Sequence, residues 1–385
     1  MRKFYRNAAL VTESGVIKYT NILTDNGKIV YIGKDNHMTA ADITVEVDGN
    51  YLSAGFIDIH VHGGNGYEFM DGTKQSFGKI AEYHASHGVT SMLATTLAGD
   101  MSETLAFLDA YNEYAPEVSA LNYLGVHLEG PFFNPKQAGA QDPKYLVPPT
   151  KENYAPYLKY GCVKRVSLAP ELDGASEFTR ELLAMGAVVS AGHTDASFAE
   201  MEEAHINGFS LMTHLYSAMS GVHRRGVWRT GGAIEAGLLI DTLYAEIIAD
   251  GLHLPECLLK LIVKCKGREK IILVSDASRG AGLAEGTIFK LGSLEKGQDV
   301  KVKDDIAMLM DETAFAGSVA SGDRLVRTMV KTAGLPIHDA VYMITATPAK
   351  LLGIDSRKGS IEVGKDADIV VFDENINIIH NSCYC

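Results

Sequence analysis

The residues that could do chemistry in this sequence are imidazoles and carboxylates, set in small groups along the chain. His60 and His62 flank Val61, and in an extended segment alternation puts both rings on one face. Glu129, His193, His214, Asp250, His253 and Asp276 follow one or two at a time, each at the end of an apolar run or just beyond it. Imidazole nitrogen and carboxylate oxygen are the donors that bind Zn²⁺ and similar divalent ions. A single histidine reads as an ordinary hydrogen-bonded residue, which is how His84, His87, His127, His205, His223 and His338 are taken, although His223 lies near a candidate substrate loop. His60, His62, Glu129, His193, His214 and Asp276 read differently. Buried ionisable groups are costly unless paired or metal-bound, so donors at the ends of separate buried segments point to one metal site.

Such a site needs a fold that gathers those ends. Eight apolar segments, at 56–63, 90–96, 123–130, 163–171, 187–194, 209–217, 244–253 and 270–277, read as strands, and helical periods such as SFGKIAEYHASHG and SEFTRELLAMG separate several of them. Strands alternating with helices imply a parallel sheet, and eight of them predict a (β/α)8 barrel, where strand C-termini converge on one pocket. No GxGxxG follows a first strand, which argues against a dinucleotide-binding open sheet. Segments near both chain ends (4–11, 27–33, 43–49 and 360–373) are β-branched and turn-punctuated. They predict a small β-sandwich built from 1–53 and 354–385, with the barrel occupying 54–353. Residues 284–316, turn-rich with short strand-like runs, read as an extension after the last barrel strand.

The chain has 385 residues and a formal net charge of −13, which disfavours a nucleic-acid or anionic-membrane partner. No apolar run approaches the ~18 residues of a membrane span, and no signal-peptide h-region is visible. Five scattered cysteines predict no disulfide scaffold and a cytoplasmic setting; Cys383 and Cys385, a CxC at the end, read as a frayed tail.

The HxH pair, a Glu, two later single His and a late Asp resemble the amidohydrolase superfamily. The segments AGFIDIHVHGGNGYEFMDG, GVHLEGPFFNPKQAGA, SLAPE, SAGHTDA, THLYSAM, IIADGLH, LVSDA and FAGS, spanning about residues 50–370, occur in the order seen in the N-acetylglucosamine-6-phosphate deacetylase family. The resemblance implies a metal-dependent barrel with a β-sandwich from both ends, and amide hydrolysis of an amino-sugar phosphate. It assigns Glu129, His193 and His214 to one divalent ion, and His60 and His62 to a second, so one or two ions are expected: Zn²⁺ first, with Fe, Mn or Co as alternatives. Superfamily branches with a carboxylated lysine carry it after the fourth strand; here that strand ends SLAPE, and its Lys164 lies at the opposite end. By the same resemblance Asp276 is general base and acid, with a pure ligand role or a His-orienting role as alternatives. His253 would polarise the acetamide carbonyl.

The resemblance also implies that Ala140, Ser217, Ala218, Asp250, Gly251, His253, Phe315, Ala316, Gly317 and Ser318 line the sugar-phosphate pocket. The phosphate calls for a guanidinium, and Arg225, its neighbour Arg224 and the later Arg229 are the candidates. Three departures touch the binding end. Ser217 replaces the usual Asn, Gln141 the usual His, and the loop around Arg224 and Arg225 is rebuilt. They leave open a related substrate such as the galactosamine epimer or another N-acyl compound. A non-catalytic assembly protein is disfavoured because every ligand position is filled. A homodimer is expected from the family.

Overall fold

In the computed structural model, which describes residues 1–34 and 41–383 and only the backbone of Arg225, the eight apolar segments form eight parallel strands. They are Phe56–Val61, Val89–Thr95, Asn122–Glu129, Val163–Leu168, Val188–Ala191, Leu211–Met212, Tyr244–Ile248 and Ile271–Val274, paired in chain order. Every residue of the first, second and eighth is buried, as expected for strands covered on both faces. Closure between the eighth and first strands is made beyond the ladder, where Asp276 N–H donates to the His60 carbonyl and His62 N–H to that of Ala277, each at 2.9 Å. The closing contacts are thus made by three of the candidate site residues or their neighbours. The result is a TIM-type barrel.

Helices Lys74–Ser86, Met101–Tyr114, Ala175–Ala184, Phe198–Ile206, Ala233–Leu239, Glu256–Lys266 and Gly322–Lys331 cover the outside. Gly88, Gly186 and Gly208 follow three of them with positive φ (88°, 74° and 112°), so these helices stop where a residue lacking Cβ turns the chain. The sixth strand is only two residues long, because Thr213 to Ala218 are taken up by turns that carry His214 into the site.

A seven-stranded sheet draws five strands from residues 2–54 and two, Ile369–Phe372 and Ile378–Ser382, from the other end. We propose the division into 1–53 with 354–385, and 54–353, on that basis. Within 360–373 the expected first strand does not form. Gly359 and Gly364 have φ of 87° and 95°, and the segment instead loops against the edge near Ile29, with Gly364 N–H donating to its carbonyl at 2.8 Å. The second C-terminal strand lies later, at Ile378–Ser382. The 284–316 extension is a three-stranded antiparallel sheet (Ile288–Leu291, Gln298–Lys303, Ile306–Leu309) that feeds 314–318 back to the barrel mouth. Cys385 lies outside the described residues.

Candidate metal centre and active site

The gathered side chains sit at or just past the strand ends. His60 and Glu129 are still in strands, whereas His193, His214 and Asp276 occupy the left-handed region, with φ of 46°, 30° and 49°. Non-glycine residues rarely adopt it, and such strain concentrates where a surrounding site holds it. Two triads share Glu129: His60, His62, Glu129 and Glu129, His193, His214, with the donor atoms of each within 4.8 Å of one another and all residues buried. Glu129 Oε1 lies 3.0 Å from His214 Nε2, 3.3 Å from His60 Nε2 and 3.5 Å from His193 Nε2. His62 Nε2 is 3.4 Å from Glu129 Oε2 and 3.0 Å from Asp276 Oδ1.

These residues fit a divalent ion. His60 Nε2 and His62 Nε2 converge at 3.2 Å beside the carboxylates, where a cation could be shared by both rings. Burial lowers the pKa of both rings, yet the surrounding carboxylates outweigh it, raising His60 well above the usual value and His62 to about 9. Burial opposes ionisation of Glu129 as well, but His60, His193 and His214 hold it well below the carboxylate range. Asp276 is likewise lowered, burial being outweighed by His60 and His62. An anionic centre walled by imidazole nitrogens attracts cations.

Across a cavity of about 310 Å³, His253 faces this centre. Its Nδ1 lies 2.7 Å from Asp250 Oδ2, and its ring packs on Phe315 at a centroid distance of 4.8 Å. Asp250 Oδ1 accepts the backbone N–H groups of Leu252 and His253, both at 2.8 Å. Burial raises the Asp250 pKa, but the His253 hydrogen bond outweighs it and keeps the carboxylate ionised. The ring is therefore aimed with Nε2 toward the cavity.

A family model of the amidohydrolases matches residues 51–383. The chain belongs to the amidohydrolase family. An N-acetylglucosamine-6-phosphate deacetylase of Bacillus subtilis is 36% identical, over 98% of this chain and 95% of that protein. An N-acetylgalactosamine-6-phosphate deacetylase of Escherichia coli O157:H7 is 30% identical over 98% and 97%. The crystal structure of N-acetylglucosamine-6-phosphate deacetylase from Pasteurella multocida superposes with a TM-score of 0.91 at 27% identity, covering 99% of this chain and 98% of that one.

In this amidohydrolase, Ala140, Ser217, Ala218, His253, Phe315 and Gly317 line the cavity together with His62, Glu129, His193, His214 and Asp276. Asp250, Gly251, Ala316 and Ser318 do not. The Asp250 carboxylate is spent on His253 and its own loop; Ala316 is buried against the three-stranded sheet; Ser318 Oγ donates to the Ser275 carbonyl at 2.5 Å. Gly251 takes a φ of 83° that turns the chain between Asp250 and His253. Arg224 and Arg229 are not among the described residues that line the cavity. Arg224 and Arg229 pair on an exposed hairpin, His223–Arg225 with Trp228–Thr230, where the Arg225 backbone is opposite Trp228.

Several site residues escaped the sequence reading. Gln141, noted only as a departure, donates from Nε2 to Glu129 Oε2 and accepts the Ala98 N–H, both at 2.8 Å, and so braces the shared carboxylate. His127, read as ordinary, is buried edge-on against His60 with centroids 4.6 Å apart. Leu97, Gly139, Gln141, Tyr216, Ile248, Leu291 and Ala314 also line the cavity. Arg165 and Glu246 lie beneath the ligands; their signal was a charge inside each of two otherwise buried strands.

Proposed function

We propose that this amidohydrolase removes the acetyl group of N-acetylglucosamine 6-phosphate, giving glucosamine 6-phosphate and acetate. The observation that carries the reading is one cavity holding a shared-glutamate ligand set, an ionised Asp276 and an Asp250-anchored His253. Similarity to deacetylases along nearly the whole chain supports the substrate class. His60, His62 and Glu129 would hold one divalent ion and Glu129, His193 and His214 another, with Zn²⁺ the first candidate and Fe, Mn or Co the alternatives. A divalent ion held there supplies Lewis acidity, bringing the pKa of a water toward ~7 and polarising the carbonyl.

The protein's own groups do the rest. Asp276 Oδ1, 3.0 Å from His62 Nε2 at the cavity wall, takes the proton of the attacking water. The carbonyl oxygen gains charge as the tetrahedral carbon forms, and the His253 ring, its Nδ1–H held by Asp250 and with a second proton on Nε2, donates to it from Nε2. Asp276 then returns its proton to the amide nitrogen, the C–N bond breaks, and the amine leaves neutral. Phe315 packs at a tilt against the His253 ring at the cavity wall. Arg224, Arg225 and Arg229 supply the guanidinium candidates for the phosphate. The exposed apolar tip of their hairpin, Val227 and Trp228 at 82% and 75%, supports a homodimer. The few scattered cysteines support the cytoplasm.

The test is acetate release by Zn²⁺- or Mn²⁺-loaded protein from N-acetylglucosamine 6-phosphate, the unphosphorylated sugar and the galactosamine epimer. Turnover confined to the first substrate is expected. Preference for the epimer would reassign the substrate, and no turnover of any by metal-loaded protein would overturn the reading.

A further inference from the structure

Beneath the ligands the barrel interior holds two charges that the reaction does not use. Arg165, in the fourth barrel strand, is fully buried; its guanidinium donates to the Ile59 carbonyl (3.1 Å), Thr213 Oγ1 (3.2 Å) and Ser190 Oγ (3.2 Å), and pairs with Glu246. Glu246, fully buried in the seventh strand, turns its other oxygen upward, where Oε1 accepts from His60 Nδ1 at 2.7 Å and from the His214 backbone N–H at 3.0 Å. A buried ion pair is weak evidence for stability, since apolar side chains of similar volume often serve as well. This one ends on two ligand-bearing residues.

The geometry has a chemical consequence. A carboxylate accepting at Nδ1 keeps the proton there and leaves Nε2 as the lone pair, facing His62 Nε2, Glu129 Oε1 and Asp276 Oδ1 at 3.2, 3.3 and 3.4 Å. His193 receives the same service from the neutral Gln137 carbonyl at 2.9 Å, while Nδ1 of His62 and of His214 has no hydrogen-bond partner among the described residues. Arg165 balances the charge of that carboxylate and fixes its position under His60. His127, edge-on to His60, closes the remaining side.

We infer that Glu246, held by Arg165, is the positioning residue that commits His60 to metal binding and so sets the affinity of the HxH site for its ion. This rests on the reading of His60, His62 and Glu129 as ligands. The experiment is titration of the metal-free protein with Co²⁺, followed by visible absorption and by metal content per chain. Wild-type protein should bind two ions. Glu246→Gln, which keeps an acceptor but loses the charge, should bind one ion as wild type does and the other about 10–100-fold more weakly. Should Glu246→Gln fail to fold with Arg165 stranded, the double variant Arg165→Met with Glu246→Leu removes both charges, and the same selective loss is expected. A folded variant with both affinities unchanged, or with both weakened equally, would overturn the inference. A wild-type protein that binds a single ion would overturn the ligand reading beneath it, and the inference with it.

Discussion

At the scale of single residues, Asp276 carries two demands on one carboxylate. It approaches His62 at 3.0 Å and His60 at 3.4 Å, yet it also opens on the cavity where a substrate amide would lie. Replacing it by Asn keeps the shape and one acceptor but removes the basic charge. We expect Asp276→Asn to lower kcat by about 10²–10⁴-fold in protein that still holds its ion at Glu129, His193 and His214, checked by acetate release alongside metal analysis. His253→Gln should lower kcat by about 10²–10³-fold with little change in KM, because its donor matters most when charge has built up on the oxygen. Steady-state kinetics separate the two parameters. The candidate donors could be picked out in the sequence because strand ends are local features, and the structure gathers them into one cluster. The task of Asp250 was not: it reads as a cavity residue, and only the fold shows both oxygens turned onto His253 and its loop.

At the scale of elements, the strands could be located by hydrophobic runs, but not where each would stop. The segment 209–217 reads as a full strand and yields two residues of one, because the backbone leaves the ladder to place His214 at φ 30°. The segment 360–373 reads as two strands and yields one, because glycine turns interrupt the first. Helix packing carries its own prediction. Asp323, in the first turn of Gly322–Lys331, takes hydrogen bonds from His87 at 3.0 Å, Ser321 at 2.6 Å and Arg327 at 3.0 Å, tying the last barrel helix to the end of Lys74–Ser86. Burial opposes its ionisation, but those partners hold its pKa at about 2, below the ordinary 3.8. A depressed carboxylate pKa adds stability that is present above the unfolded value and lost as pH falls through the folded one. Asp323→Asn should therefore cost up to about 2 kcal/mol at neutral pH, with the difference from wild type shrinking between about pH 4 and pH 2. Thermal melts across that range read it directly.

At the scale of the whole molecule, barrel closure and the metal centre depend on the same residues, since the backbone groups of His60, His62 and Asp276 join the eighth strand to the first. Removing the ion should therefore be felt in stability as well as in activity. A chelator should abolish acetate release and lower Tm, and restoring Zn²⁺ at about 100 times its Kd should recover about 2.7 kcal/mol. Equal melting with and without metal would separate the centre from the fold. The sequence by itself determined the barrel, the order of its strands and the types of donor at their ends, because periodicity and composition act over a few neighbouring residues. Only the tertiary structure decided that Glu246 meets His60, 186 residues away in the chain, that Gln141 braces Glu129, and that the arginine loop forms a hairpin. Those pairings arise when eight parallel strands close on themselves, and no local pattern of residues encodes which side chains the closure will bring together.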